Sequence, residues 1–299
     1  EAKMRYFGVS VSVLLSMMVM IVWGDEEKKN EEKKEESKAL RLVQEFRSVQ
    51  QRIGEDPTSV KTEQTVSVYG KKVGVRTKGF GLRYIFDGEK EEIIVINEEE
   101  KQFYSLPFSL MGYYYALVVE GVVERLRNEK SAAQKLPEEE RKRYEEACKE
   151  RWSAAEAFLR KTEPSEVKVE TKELSEKVCG YSAKEIKVVA DGKVVVEATV
   201  TLDVKLDVKI LAFFVLASSL PNKVRTEVSR IEGLPLRYKE YGRLGDFKSE
   251  TETKVKSVEK ESVKEEEVAS EVKVPDGYTE VKEPEIVQSL RMLKERGVK

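Results

Sequence analysis

The sequence predicts an α+β protein, a strongly curved antiparallel half-barrel with helices covering its open face. Three observations lead there. The first is the stretch 193–209, KVVVEATVTLDVKLDVK, in which Val194, Val196, Ala198, Val200, Leu202, Val204, Leu206 and Val208 fall on one side and charged or hydroxylated residues on the other, with only Val195 out of phase. This is a strand with one dry and one wet face. At about 3.3 Å per residue it would run roughly 50 Å if straight, so it has to curl, bulge or turn. The second is a set of short alternating runs between 60 and 106, punctuated by glycine, which reads as an antiparallel meander. The third is the segment from Pro107 to Pro164, where apolar residues recur at helical spacing and interrupt the strands.

In chain order, Met4 and Arg5 precede an apolar run from Val9 to Trp23, which reads as a secretory signal with cleavage before Asp25. The rival reading is an uncleaved N-terminal membrane anchor, because a clean Ala-x-Ala site is missing; no cysteine follows that would support a lipid anchor. Asp25 to Glu36 is a charge run with nothing to bury and reads as a solvated linker. The expected organisation is therefore 1–24 leader or anchor, 25–36 linker, and 37–299 one folded domain with a helical hairpin inserted at about 107–164.

Ser37 is placed to cap a helix in which Leu40, Val43 and Phe46 share a face, ending at Gly54. Strands follow at 60–69, 73–77, 82–86, 93–96 and 102–106, with Asp87-Gly88 as a hairpin turn. The insertion reads as two helices, one carrying Leu110, Tyr114, Leu117 and Val122, the other starting at Pro137 and carrying Cys148, Trp152 and Ala155. Strands resume at 167–171 and 181–190, turn at Asp191-Gly192, and enter the long strand. Ile210 to Leu220 reads as a short buried helix, stopped by Pro221; 224–231, 236–241, 247–258 and 268–274 read as strands; and Pro284 opens an amphipathic C-terminal helix ending at Gly297.

Composition excludes several functions. Hydrophobic residues are 40% and charged residues 37%, with a net charge of −2, so no general field favours nucleic acid. The charged excess is lysine and glutamate with few amides, a balance found in proteins that work hot. There is no histidine, which removes the usual general base and the commonest transition-metal ligand. The glycines at 70, 74, 79 and 81 lack the GxxxxGK pattern of a phosphate loop and read as turns and bulges. Cys148 and Cys179 form no metal motif; two buried free thiols is the simpler reading beside a single disulfide. Tyr113 to Tyr115 reads as packing, since no basic groove accompanies it.

The element order, with Cys179-Gly180-Tyr181 before a strand, Asp191-Gly192-Lys193 in a hairpin, Gly233-Leu234-Pro235-Leu236 and Val274-Pro275-Asp276-Gly277-Tyr278, resembles the LolA-like family over about residues 58–280. Within it the chain is most similar to uncharacterised exported envelope proteins of bacteria. The resemblance implies an incomplete antiparallel barrel plugged by helices, no catalytic residues, and a hollow that in the understood relatives serves lipoprotein sorting or lipid transport. The insertion is larger than a minimal member needs and the C-terminal helix lies beyond the matching region. Both leave open whether the hollow stays open or is filled.

The functional expectation is an exported protein of the cell envelope, periplasmic or on the outer face of the cytoplasmic membrane, which binds an acyl chain, lipid or lipoprotein. Its ligand-contacting residues are expected to be Val194, Val196, Ala198, Val200, Leu202, Val204, Leu206, Phe213 and Phe214. No catalytic, cofactor-binding or metal-binding residues are expected, no cofactor and no nucleic-acid partner; the N-terminal segment offers a route to membrane association. The alternative is a non-catalytic structural or interaction protein of the envelope with a filled core, which is the simpler reading of any single apolar residue named. If the leader is removed, N-terminal sequencing of the exported protein will begin at or near Asp25; an intact Met4 end recovered in the membrane supports the anchor instead.

Overall fold

In the computed structural model the described residues are 39–297 except 207, 216–217, 261–263 and 283, without the side chains of Phe213 and Phe214. The expected leader, the charged linker and the Ser37 cap lie outside them. The first described element, β1 (Ala39–Arg52), is a strand and not the expected helix. Leu40, Leu42, Gln44, Phe46 and Ser48 are all buried and alternate with less buried neighbours, so the period is two. The helical series Leu40, Val43, Phe46 is a coincidence of spacing, and Gln44 and Ser48 hide the strand because they are polar residues on the dry face.

The meander follows as expected: β2 (Thr58–Tyr69), β3 (Lys72–Thr77), β4 (Leu82–Asp87), β5 (Glu92–Asn97) and β6 (Gln102–Pro107) pair in succession. The chain then leaves the sheet as α1 (Phe108–Met111), α2 (Tyr114–Gln134) and α3 (Glu138–Arg160), the inserted hairpin. It returns as β7 (Val167–Glu173), β8 (Lys184–Ala190) and β9 (Lys193–Thr201), passes through α4 (Ile210–Phe214) and α5 (Asn222–Ser229), and continues as β10 (Leu234–Leu244) and β11 (Phe247–Glu259). α6 (Glu265–Glu271), a two-residue β12 (Thr279–Glu280) and α7 (Glu285–Glu295) complete the described chain. Both halves lie in one sheet of order β12-β6-β5-β4-β3-β2-β1-β11-β10-β9-β8-β7, antiparallel apart from the β12–β6 pair.

Three strand expectations are corrected. The long strand ends at Thr201, because β8 begins at Lys184 opposite Val200 and β10 begins at Leu234 opposite Thr201, leaving the residues that follow with no strand to pair with among the described residues. Asp203 closes the exit, its backbone N–H donating to the Thr201 hydroxyl and its carboxylate accepting from the Ser182 N–H. Residues 224–231 are mostly the helix α5, since Val224, Val228 and Ile231 are spaced i, i+4, i+7 and all buried. The stretch 268–274 belongs largely to α6 and the turn after it. There Val268 and Val272 are one helical turn apart, and Glu265, Glu266 and Glu267 sit in the first turn, where the helix dipole favours them.

The sheet is open but bent. β6 and β8 are nine strand spacings apart, roughly 43 Å in a flat sheet at ~4.8 Å per spacing. Yet α1, which continues directly from β6, is joined to α5, which packs on β7 and β8, by a hydrogen bond of 3.2 Å from Arg225 Nη2 to the Met111 carbonyl. Only a sheet curved around its helices brings those ends together. The concave face carries a core that runs from Leu106 through Phe86, Val75, Val66 and Leu42 to Leu236, closed by α1, α2 and α7. A second cluster lies between β8–β10 and α4–α5.

The convex face is mostly charged, with cross-strand pairs such as Arg237–Glu252 at 2.6 Å and Lys239–Glu250 at 2.9 Å. Among the described residues it is covered where α6 and the turn after it lay Val272 on Ile85, Ile94 and Ile96. Gly74 permits the approach, because a Cβ there would stand 2.7 Å from the Glu271 carbonyl oxygen. Arg41 fastens the helix from beneath through Glu271 at 2.6 Å.

The inserted hairpin is tied to the sheet at the β10–β11 turn. Asp246, 2% exposed, accepts from Arg52 of β1 and Arg125 of α2, each at 2.6 Å, and both guanidinium groups lie over the Phe247 ring. Glu129 of α2 bonds the same Arg52 and accepts from the Trp152 indole of α3 at 2.9 Å. Removing the carboxylate leaves Arg52 with Glu129 and Glu55, but takes from the half-buried Arg125 its one ion-pair partner among the described residues. Asp246→Ala is therefore expected to lower stability by about 1–3 kcal/mol, read as a fall in urea midpoint with unchanged slope.

Candidate functional site

The sequence-predicted residues divide. Val196, Ala198 and Val200 are on the dry face of β9 at 0%, 2% and 0% exposure, packed under Leu211, Val215, Leu220, Val224 and Val228 of the α4–α5 region. Val204 is buried in the other core and Leu206 is partly buried beside it, while Leu202 is 57% exposed. Val194 is 37% exposed, because β9 bulges: Val188 pairs with Val196 but Val189 pairs with Val194, so Val195 is the extra residue and the in-out phase reverses there. The side chains of Phe213 and Phe214 are outside the described residues. The structure thus brings three of the nine, Val196, Ala198 and Val200, together as a wall and disperses Val194, Leu202, Val204 and Leu206.

Beside that wall is a pocket of about 380 Å³, within the roughly 300–1,000 Å³ range of small-molecule sites. It lies where α3, the β8–β9 turn, the start of α5 and the end of β10 meet. Its floor is apolar and buried, formed by Tyr115, Ala190, Leu220 and Val224, and Phe158, Pro221 and the bulged Val195 form its sides. Sequence reasoning passed over Val195 as the break in a pattern, although a break inside a strict alternation is itself the mark of a bulge.

The strap 161–166 between α3 and β7 borders the pocket and is fixed at both ends. The Tyr115 hydroxyl donates to the Thr162 carbonyl at 2.6 Å. Glu163 accepts from the N–H groups of Asn222 at 2.8 Å and Lys223 at 3.2 Å, so a strap carboxylate caps α5. Lys223 in turn donates to the Pro164 carbonyl at 2.9 Å. On the other side Asp191 holds Lys161 at 2.7 Å and accepts from the N–H groups of Ser165 and Glu166. The Lys161 bond, then the two backbone donors, hold the Asp191 carboxyl below the usual range. Burial pushes the Tyr115 hydroxyl upward.

Deeper inside is a polar cluster that the sequence reading did not find. Glu240 of β10 accepts from the Tyr238 hydroxyl at 3.0 Å. Burial drives its pKa up to about 7, opposed by that hydrogen bond and by the charge of Arg225. Arg225, 3% exposed, donates to the Val215 carbonyl at 3.0 Å, Asn222 Oδ1 at 3.1 Å and the Met111 carbonyl, and burial lowers its pKa to about 10. Its guanidinium is the internal tie between the two ends of the curved sheet. Glu240 was legible, since it falls in phase with Leu234, Leu236 and Tyr238 on the buried face.

Among the described residues no group of three or more His, Cys, Asp or Glu side chains is placed to hold a metal ion. Cys148 and Cys179 are both free thiols; the first is buried, but the second is exposed in a turn, which corrects the expectation of two buried ones. Glu240 and Arg225 face protein groups and not the pocket, so their arrangement is structural.

No protein-family model matches the chain, and no curated protein matches it. Among solved structures it is similar to an uncharacterized conserved protein from Thermus thermophilus, with 9% identity, a TM-score of 0.37, and 83% of this chain and 91% of that one covered. It is also similar to a LolA superfamily protein from Nitrosomonas europaea, with 7% identity, a TM-score of 0.25, and coverage of 77% and 89%. With likenesses of this size the fold stands on the strand order itself.

Glu240 generates a pH prediction. The folded state holds a proton that the unfolded chain releases near the ordinary value of 4.5, so this contribution to stability is complete below that value and is lost as pH rises through about 7. Glu240→Gln is expected to gain on the order of 2–3 kcal/mol relative to the unmodified protein between about pH 5 and about pH 8, measured by urea denaturation across that range. Parallel curves for the two proteins would show that the carboxyl ionises normally in the fold.

Proposed function

We propose that the protein is a non-catalytic binder or carrier of a hydrophobic ligand, an acyl chain, lipid or lipoprotein, working outside the cytoplasmic membrane in the cell envelope. The observation that carries this reading is the pocket of about 380 Å³ with a buried apolar floor, built where an inserted helix meets the end of a curved sheet. The predicted dry face of β9 supports its wall: Val196, Ala198 and Val200 pack beneath Leu220 and Val224, which line it. The absence of histidine supports a binding role over acid-base chemistry, and the element order resembles a family of carriers.

Export rests on the apolar run Val9 to Trp23 and the charged linker after it, which together with a folded domain from 37 onward form the proposed organisation. Among the described residues no helix is long and apolar enough to cross a membrane. Membrane association on this reading belongs to the N-terminal segment or to the cargo. The second reading, a structural or interaction protein of the envelope with a filled core, is favoured by the close cover over Val196, Ala198 and Val200.

The two readings separate on filling variants assayed with a neutral fluorescent hydrocarbon and the delipidated full chain. Ala157 is exposed at the pocket edge, so Ala157→Trp is expected to cut uptake severalfold and leave the melting temperature within a degree or so. Ala198→Phe enlarges a packed position and is expected to cost about 1–3 kcal/mol of stability. If the unmodified protein takes up no probe, the carrier reading fails and the filled-core reading stands.

A further inference from the structure

The charges around the pocket are unequally used. Glu163 is consumed by the N–H groups of α5, and Asp191 by Lys161 and two backbone donors. Both lining carboxylates are thereby satisfied, and so is Lys161. Two other lining cations, Lys193 at the start of β9 and Arg243 near the end of β10, are exposed and make no ion pair among the described residues. Arg243 also stands opposite Lys248 in the β10–β11 register, which adds a third positive charge to the same side. An apolar floor with unpaired cations at its edge is the complement of a molecule that is apolar at one end and anionic at the other.

The bulge at Val195 explains how the cation arrives there. In an unbroken strand the phase would carry Val194 inward with Val196 and Ala198. With the extra residue, Val194 turns outward and Lys193, opposite Ala190, comes to the pocket beside Val195. A strand irregularity has exchanged an apolar residue for a charged one at the mouth and left the floor greasy.

From this we infer that the pocket takes a single acyl chain whose anionic head, carboxylate or phosphate, is held between Lys193 and Arg243. The inference rests on the carrier reading and narrows it to one ligand class. The volume suits one chain. At the ~30 Å³ that a water-sized group occupies in a liquid, it holds roughly a dozen such groups, so a chain of about that many carbons is the natural probe.

The test uses the delipidated full chain and calorimetric titration with dodecanoate, dodecyl phosphate, the neutral methyl dodecanoate, and butanoate. Dodecanoate or dodecyl phosphate is expected to bind about fivefold to tenfold more tightly than the neutral ester, the size of two exposed ion pairs. That preference should shrink in high salt and disappear in Lys193→Gln/Arg243→Gln, whose melting temperature should match the unmodified protein because both side chains are exposed. The more tightly held of the two anionic heads identifies the source, and either result supports the inference. Equal binding of ester and acid, or a preference that survives the double substitution, overturns it and leaves the carrier reading intact. Binding of butanoate as tight as that of dodecanoate overturns it too, since the floor then plays no part. If no long chain binds at all, both readings fall together.

Discussion

The pairing of β1 with β11 is the constraint on which everything else depends. It joins Arg41 to Glu259 and Arg52 to Phe247, and so fuses a meander made by the first part of the chain with a second set of strands made by the last. Without it there would be two small sheets, each with a new edge and half a core. Bringing such distant segments together has an entropic cost that grows slowly with loop length, and folds dominated by such contacts assemble slowly. In return, the longest strands of the protein lie at the centre of the sheet, where Leu40, Leu42 and Phe46 reach the concave core. The curvature, the approach of α1 to α5 and the meeting of hairpin and sheet are all downstream of this seam.

The parts of the fold that the sequence made legible are those in which period and partner agree. The strands between 58 and 107 are alternating or continuously apolar runs joined by short turns, so each finds its neighbour next in the chain; the inserted helices carry long periodic faces and a proline at their junction. Misreadings occurred where period alone was consulted. Residues 202–209 alternate as well as any strand, but neighbouring strands do not extend to meet them. β1 is obscured by two polar residues on its dry face: Gln44 is buried because it bonds Gln64, which bonds Thr77, while Ser48 is small enough to be buried with its hydroxyl unpartnered among the described residues. For α5, two valines a helical turn apart were outweighed by β-branched composition, and tertiary packing decided the matter.

The site was less legible than the fold for a related reason. An apolar stripe says that a surface will be covered, and leaves unsaid whether protein or ligand covers it. Val196, Ala198 and Val200 are covered by α4 and α5, while the pocket formed one step away, at a junction of four segments distant in sequence. What assembled it was polar chemistry: Glu163 capping α5, Asp191 gathering the strap, Arg225 spanning from helix to helix. Each of these side chains looks in the sequence like one of many surface charges in a Lys- and Glu-rich chain. Their importance comes from burial and from the backbone groups they satisfy, neither of which periodicity reports.

The inserted hairpin leaves from β6 and returns to β7, strands that are consecutive in the chain yet lie toward opposite flanks of the sheet. It is therefore a bridge between the two flanks that the β1–β11 seam joins, and its tip, Lys135 to Pro137, is at the far end of both helices from the strands they leave and enter. In engineering terms the tip is a natural port. A label, a domain or a chain break placed there interrupts no strand pairing.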